Sequence, residues 1–534
     1  MTAARRSSAG ALLALGGALL AVTAPALAQE PLSAIDWLKS PAPITVAQPL
    51  EQTIGDTDGD GRVESDEGLR SVAPARPGGV TVPDVAVMPL GEAQADAVGL
   101  LPASTTGLPP TLWEASATDA LAEALAELGG TPLPAVQALY YTLILAEAEP
   151  PSDVASNARF LIARVDALRS FGAVEPALAL IERAGPRRPE LFDSWMDLAL
   201  LTGEEHEPCR ALMEAPRLTG HYATRIFCLA RAGDWQTAAL TLETAAATGA
   251  LSPHEEALLT AFLDPEAETT AATMAPPRHM SPLVFRLYEA VGTFLPTRTL
   301  PREYAVADLR GTMGWRAEIE AAERLAQTGA LPANRLLGLY TQQRPAASGG
   351  VWERVRAMQE IDAAMESGEP QAVALALPRA WLAMKAQGLG VAFATLYGER
   401  LAAMDLPSQR DVAHEVALLS PAYERAAEAL GPQTARLRFL EGLARGAPDG
   451  SLAETQGARA IAQGFAAREP GRGAAELLAR GALGEAILQA ARALDGQSAT
   501  PGRAVSEALA TLRLVGLEDM ARRAALQMLL LQGA

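Results

Sequence analysis

Lysine is almost absent from this chain: Lys39 and Lys385 are the only two, and Arg carries the rest of the positive charge. The two cysteines, Cys209 and Cys228, lack the Cys-x-x-Cys spacing of a redox-active pair. Aromatic residues make up 5 % of the chain against 49 % hydrophobic residues, so a core has to be built mainly from Ala, Leu and Val. Histidine is scarce, and no His-Glu-x-x-His helix occurs: His414-Glu415 is followed by Leu418 where the second ligand would stand. Phosphate-binding loops, dinucleotide fingerprints and nucleophile elbows are missing as well, which removes the common signatures of catalysis. No alternation of β-branched residues is long enough to build a sheet. Beyond the N-terminus, no apolar run is long enough to span a bilayer.

What the chain does have begins with an export signal. Arg5 and Arg6 precede an apolar run from Ala11 to Val22, and Ala26-Leu27-Ala28 supplies the small residues of a cleavage site. Residues 1–28 therefore read as a signal peptide and the mature chain as beginning near Gln29. The expectation is a periplasmic protein with no transmembrane anchor after cleavage. Removing residues 1–28 takes away two Arg and no acid, which moves the formal charge from −19 to −21. Such an acidic balance argues against nucleic acid and anionic membranes as partners.

Residues 29–108 form a Pro-, Gly- and Asp-rich arm in which no helical period persists. Inside it, residues 56–67 fit a calcium loop of the EF-hand type at every position. Asp56, Asp58 and Asp60 stand at positions 1, 3 and 5, and Gly61 at the sharp bend of position 6. Arg62 offers its carbonyl at position 7, Val63 supplies the apolar plug, Glu64 acts at position 9, and Glu67 gives the bidentate carboxylate at position 12. Pro49 and Pro74 leave little room for flanking helices, and no second loop follows to pair with it. The expectation is a single weak Ca2+ site, in the roughly 0.1–1 mM range of extracellular modules. An acidic, Gly-rich linker is the alternative reading. Close to the new N-terminus, Ile35, Trp37 and Leu38 form a short apolar motif, either a docking anchor for a partner or a segment folding back on the chain's own body.

From Pro109 onward, Ala-Leu segments with apolar residues three and four apart are broken repeatedly by Gly or Pro. At roughly 11–12 residues per helix, this length holds some twenty or more helices. Ser252-Pro253-His254-Glu255 reads as a capping box, and Ser281-Pro282 and Ser420-Pro421 as further helix starts. A Gly followed after four residues by a small residue recurs from Gly172 to Ala177, Gly233 to Ala238 and Gly481 to Ala486. This pattern suits a left-handed helix end followed by a closely packed next helix. Ala232-Gly233-Asp234-Trp235 resembles the turn of a tetratricopeptide repeat, but the spacings between turns are not multiples of 34 residues. The fold expected is all-α: an irregular, tetratricopeptide-like α-solenoid of antiparallel hairpins. Its first helical section would cover 109–263, a Pro-rich break with a short helix 264–301, and a second section 302–534. Cys209 and Cys228 suit a disulfide across one hairpin, with its turn at Leu218-Thr219-Gly220. His206, three residues before Cys209, raises a metal pair as the alternative.

Three stretches carry a family likeness: Ala97-Val98-Gly99-Leu100-Leu101-Pro102-Ala103 with Gly107-Leu108-Pro109, Arg344 to Trp352, and Leu418 to Glu424. In these the chain resembles a group of uncharacterised exported helical proteins of alphaproteobacteria, sometimes called antifreeze glycopeptide polyproteins. The resemblance covers most of the chain after residue 90 and implies no activity. Ice binding of that kind needs many Ala-Ala-Thr repeats, and only scraps such as Thr269-Thr270-Ala271-Ala272-Thr273 occur. The Ser-Gly-Gly loop at 344–352, leading into a helix beside Trp352, is either an anion site built of backbone amides or a helix-capping loop. The sequence thus points to an exported, non-catalytic, calcium-binding helical scaffold that meets a protein or cell-envelope component. The alternative is an envelope enzyme acting on peptidoglycan through unidentified carboxylates.

Overall fold

The computed structural model describes residues 94–155, 157–264, 266, 275–429, 434–495 and 502–532. Their regular elements are helical, with one isolated parallel bridge between Leu101 and Ala146. The chain opens with α1 (Ala103–Thr106), α2 (Thr118–Ala126), α3 (Pro134–Leu145), α4 (Arg159–Ser170), α5 (Val174–Ala184), α6 (Pro189–Thr202), α7 (His206–Glu214) and α8 (Tyr222–Arg231). It continues through α9 (Trp235–Ala247), α10 (Pro253–Leu263), α11 (Pro282–Ala290), α12 (Ala305–Asp308), α13 (Trp315–Ala326), α14 (Ala333–Thr341), α15 (Val351–Ser367) and α16 (Pro370–Ala386). The last part is α17 (Gly390–Ala402), α18 (Arg410–Leu418), α19 (Tyr423–Ala429), α20 (Ala435–Ala444), α21 (Gln456–Ala466), α22 (Arg472–Ala479), α23 (Leu483–Leu494), α24 (Arg503–Leu514) and α25 (Glu518–Leu531). Neighbours in sequence are mostly neighbours in space, the packing of a solenoid.

The local signals act as their chemistry requires. Ser252 and Glu255 form a reciprocal capping box with Pro253 at the first helical position, and Ser281 accepts from the Val284 amide. Gly172, Gly233 and Gly481 take left-handed φ angles of 79°, 85° and 80°. At each turn the following amide reaches back five residues, as from Ala173 to the Leu168 carbonyl at 2.9 Å. Ala177, Ala238 and Ala486 are fully buried, so the next helix packs closely at its first turn. Gly516 and Ala521 form a fourth turn of this kind. Cys209 on α7 and Cys228 on α8 are joined, with Cα atoms 5.0 Å apart, across the hairpin expected for them.

Two expectations need correction. Helix α19 starts at Tyr423, so Pro421 is a turn residue: the Ser420 hydroxyl donates to the Ala417 carbonyl at 2.7 Å and accepts from Ala422 rather than capping a first turn. The arm expected to reach residue 108 is built into the body over 94–108, where Asp96, Val98, Leu101 and Leu108 are buried. Amides of Leu100 and Leu101 donate to the Leu145 carbonyl at 2.8 and 2.9 Å, and Glu147 returns a bond to Leu101 at 2.8 Å. Gly99 makes this possible, since a Cβ there would lie 2.2 Å from the Glu147 nitrogen.

The Pro-rich stretch after residue 264 does not part the core. Helix α11 packs on α6, and one hydrophobic cluster runs from Ala95 to Leu530. The two ends of the helical array also meet, because α23 and α25 both pack on α3. Gln527 accepts from the Ala135 amide at 2.8 Å, and the Gly484 amide donates to the Leu112 carbonyl at 3.1 Å. At Gly484 a Cβ would come within 2.5 Å of the Trp113 ring and 2.8 Å of that carbonyl. Gly484→Val is therefore expected to lose about 1–3 kcal/mol by overpacking. Urea unfolding checks this, and a variant as stable as the parent would show that the joint gives way freely.

Candidate functional site: an arginine-lined cleft where distant helices meet

A cleft of about 540 Å³ opens where the turn after α2, the end of α4, the segment before α12 and helix α13 converge. Its charged lining is Arg169, Arg302 and Arg324 against Asp166 and Glu303. Arg169 lies in the last turn of α4, where a cation complements the helix dipole. It grips Glu303 with two bonds of 2.6 and 3.3 Å and reaches Asp197 on α6 at 3.4 Å. Burial works against the Arg169 charge, but the hydrogen bond and charge of Glu303, with Asp197 and Asp166 behind, hold its pKa above the ordinary value. Burial pushes the Asp197 carboxyl up to about 6, with Arg169 pulling against it and Glu303 and Asp193 adding to it. Asp166 is raised in the same way by burial, against the pull of Arg169.

The other two arginines are spent on backbone. Arg302 donates to the Gly130 carbonyl at 2.6 Å and to the Thr131 hydroxyl at 3.0 Å. Arg324 donates to the carbonyls of Thr297 at 2.8 Å and Leu300 at 3.0 Å. Both are pushed down by burial, Arg302 further by its neighbour Arg324, while Asp308 pulls Arg324 back up. Ser170, the hydroxyl on the rim, donates to its own helix at Ala167, 2.7 Å away. The cleft thus holds ion pairs and loop-stitching guanidiniums, with no activated nucleophile among its lining residues. Its chemistry is that of a joint between segments far apart in the chain.

The Asp197 shift has a measurable consequence. Because the folded pKa is raised, the native state keeps this proton to higher pH than the unfolded chain. The stabilising contribution is complete below the ordinary value of 3.8 and is lost as pH rises through about 6. The side chain is 34 % exposed, so solvent damps the effect. Relative to an Asp197→Asn variant, the wild type is expected to lose stability between those two pH values. A difference that stays flat across the window would show that Asp197 titrates normally.

The residues singled out from sequence fall in several places. Asp56, Asp58, Asp60, Arg62, Glu64 and Glu67 of the calcium loop lie outside the described residues, as do Ile35, Trp37 and Leu38. Among the described residues, no three His, Cys, Asp or Glu side chains converge as metal ligands, and no helix is long and apolar enough to cross a membrane. Cys209 is consumed by its disulfide and so does not ligate a metal beside His206. At the 344–352 loop, the amides of Trp352 and Glu353 donate back to Gly349 and Gly350, each at 3.2 Å. Trp352 packs on Trp315 with ring centroids 5.0 Å apart, and Arg356 holds the Ala347 carbonyl at 3.0 Å. This arrangement is a capping loop, and an anion there would compete with bonds already made. The Arg169, Glu303 and Asp197 cluster was missed, because Asp197 lies 28 residues from Arg169, on another helix, and Glu303 lies 134 residues away.

Comparison with protein-family models, curated proteins and solved structures finds no match. The reading of function therefore rests on the chemistry of this chain alone.

Proposed function

We propose that this chain is an exported, non-catalytic helical scaffold of the cell envelope that binds calcium through residues 56–67. The observation that carries the reading is the spacing of that loop, with six ligand positions and the bend glycine in register. Asp56, Asp58, Asp60 and Glu67 would supply carboxylates, Arg62 its carbonyl, and Glu64 a contact direct or through water. The Cys209–Cys228 disulfide is consistent with an oxidising compartment. Commitment of Arg302 and Arg324 to backbone carbonyls supports a body that holds its shape rather than one that turns over a substrate. The helical array would present its outer surface to a protein or envelope component, with Trp37 as a docking anchor.

Calorimetric titration of calcium into the mature chain tests this. Saturable binding in the roughly 0.1–1 mM range is expected. It should vanish in a variant carrying Asp56→Ala and Glu67→Ala. Absence of binding at millimolar calcium would reduce the loop to an acidic linker. Release of muropeptides from purified sacculi, abolished by changing one carboxylate, would replace the scaffold with an enzyme.

A further inference from the structure

A second cleft, of about 300 Å³, lies apart from the first, at the meeting of α7, α8, α10 and α11. Its walls are aromatic: Phe227 and Phe262 stack with centroids 5.7 Å apart, and Phe294 stands at the rim 56 % exposed. Its charged side is unbalanced, with Arg231, Arg286 and Arg310 against Glu205 and Glu289. Glu289 is fully engaged, taking Arg286 on one oxygen at 2.8 Å and Arg310 on the other at 2.5 Å. Glu205 is only half engaged. One oxygen receives Arg286 at 3.1 Å and Arg231 at 3.4 Å, while Oε2 makes no hydrogen bond among the described residues. Arg286 Nε is likewise buried and unpartnered.

A residue 2 % exposed rarely leaves an ionised oxygen unpaired, because desolvation without a partner is costly. Here the open acceptor and the open donor occur together, on two residues lining one aromatic cleft. Arg231 adds a third group: its side chain is 55 % exposed, so its guanidinium remains accessible from the cleft mouth. The volume is at the lower end for small-molecule sites, which combine apolar walls with a few convergent polar groups.

From this we infer a binding site for a small aromatic carboxylate that carries a hydroxyl or amide N–H beside its carboxyl group. The carboxylate would pair with Arg231 and the free Arg286 Nε, the excess cation in a chain that is otherwise strongly acidic. The neighbouring donor would meet Glu205 Oε2, and the ring would lie against Phe227 and Phe262. The site goes beyond the scaffold reading and does not use the calcium loop.

The test is calorimetry on the full mature chain with 3-phenyllactate as probe. Two relatives each lack one feature: 3-phenylpropionate has no hydroxyl, and 3-phenyllactamide has no charge. Saturable binding of 3-phenyllactate is expected, with both relatives about tenfold or more weaker, the scale of one lost charged hydrogen bond. Arg231→Gln, at a position 55 % exposed, should weaken 3-phenyllactate by a similar factor, with thermal unfolding used to confirm that the variant is folded although it loses a partner of Glu205. Phe262→Ala should do the same, with thermal unfolding used to confirm that this variant is folded. No saturation at millimolar probe, equal binding of either relative, or wild-type affinity in Arg231→Gln would each overturn the site.

Discussion

Replacing Arg164 with Met is expected to cost about 4 kcal/mol or more, enough to threaten the folded state of a typical domain. Arg164 is 1 % exposed and lies over the Phe160 ring at 5.5 Å. Its guanidinium donates to four carbonyls: Ile144 at 2.7 Å, Val98 at 2.7 Å, Ala146 at 3.1 Å and Asp96 at 3.3 Å. These belong to two segments, 96–98 and 144–146, that lie beside the bridge between Leu101 and Ala146. Arg164 supplies donors to both, with five N–H groups in a rigid fork. Burial pushes it down to about 10, still charged at neutral pH, with Asp96 pulling it up. Met fills the volume but leaves four buried acceptors unmet, each worth about 1–3 kcal/mol when orphaned. Lys is expected to recover only part of the loss, since a point charge with three donors cannot span both segments. Urea unfolding reads the magnitude, and hydrogen exchange at Leu100 and Leu101 reads the place. A loss below about 1 kcal/mol would mean that water reaches these carbonyls and that the clamp is dispensable.

Arg354→Met is expected to cost about 3–5 kcal/mol, for a different reason. Glu323 on α13 is 2 % exposed and takes both its main partners from Arg354, Nε at 2.8 Å and the terminal nitrogen at 2.6 Å. The Tyr340 hydroxyl on α14 donates to the same carboxylate at 2.8 Å, so three consecutive helices are tied at one point. Removing Arg354 strands a buried carboxylate with a single neutral donor. Tyr340→Phe removes only that donor and should cost about 1 kcal/mol. Combining Arg354→Met with Glu323→Leu should recover much of the loss, because an apolar pair avoids the desolvation that the ion pair only offsets. A double variant as unstable as Arg354→Met alone would show that packing at these positions, and not the stranded charge, sets the cost.

Both clusters left traces in the sequence. Leu161, Arg164, Val165 and Leu168 fall at i, i+3, i+4 and i+7, so Arg164 occupies the apolar stripe of its own helix. Glu323 sits in the same way on the stripe of Ile319, Ala322 and Ala326. A charged residue at a core position announces a buried ion or clamp, but it does not name a partner. Residues 96–101 have a physical role of their own: Gly99 lets the chain approach the end of α3, and Arg164 holds the carbonyls of Asp96 and Val98.

What the sequence by itself determined is local. Helix after helix, the serine caps before Pro253 and Pro282, the glycine turns with their buried alanines and the Cys209–Cys228 hairpin follow from contacts between residues close in the chain. There, backbone geometry and helical period leave few alternatives. Only the tertiary structure decided that α23 and α25 return to α3, that residues 94–108 belong to the body, and that Arg169 meets both Asp197 and Glu303. Each of these depends on how small angles between successive helix pairs accumulate along the chain. No residue pattern encodes that sum directly, because Ala- and Leu-rich faces pack against many partners with nearly equal energy.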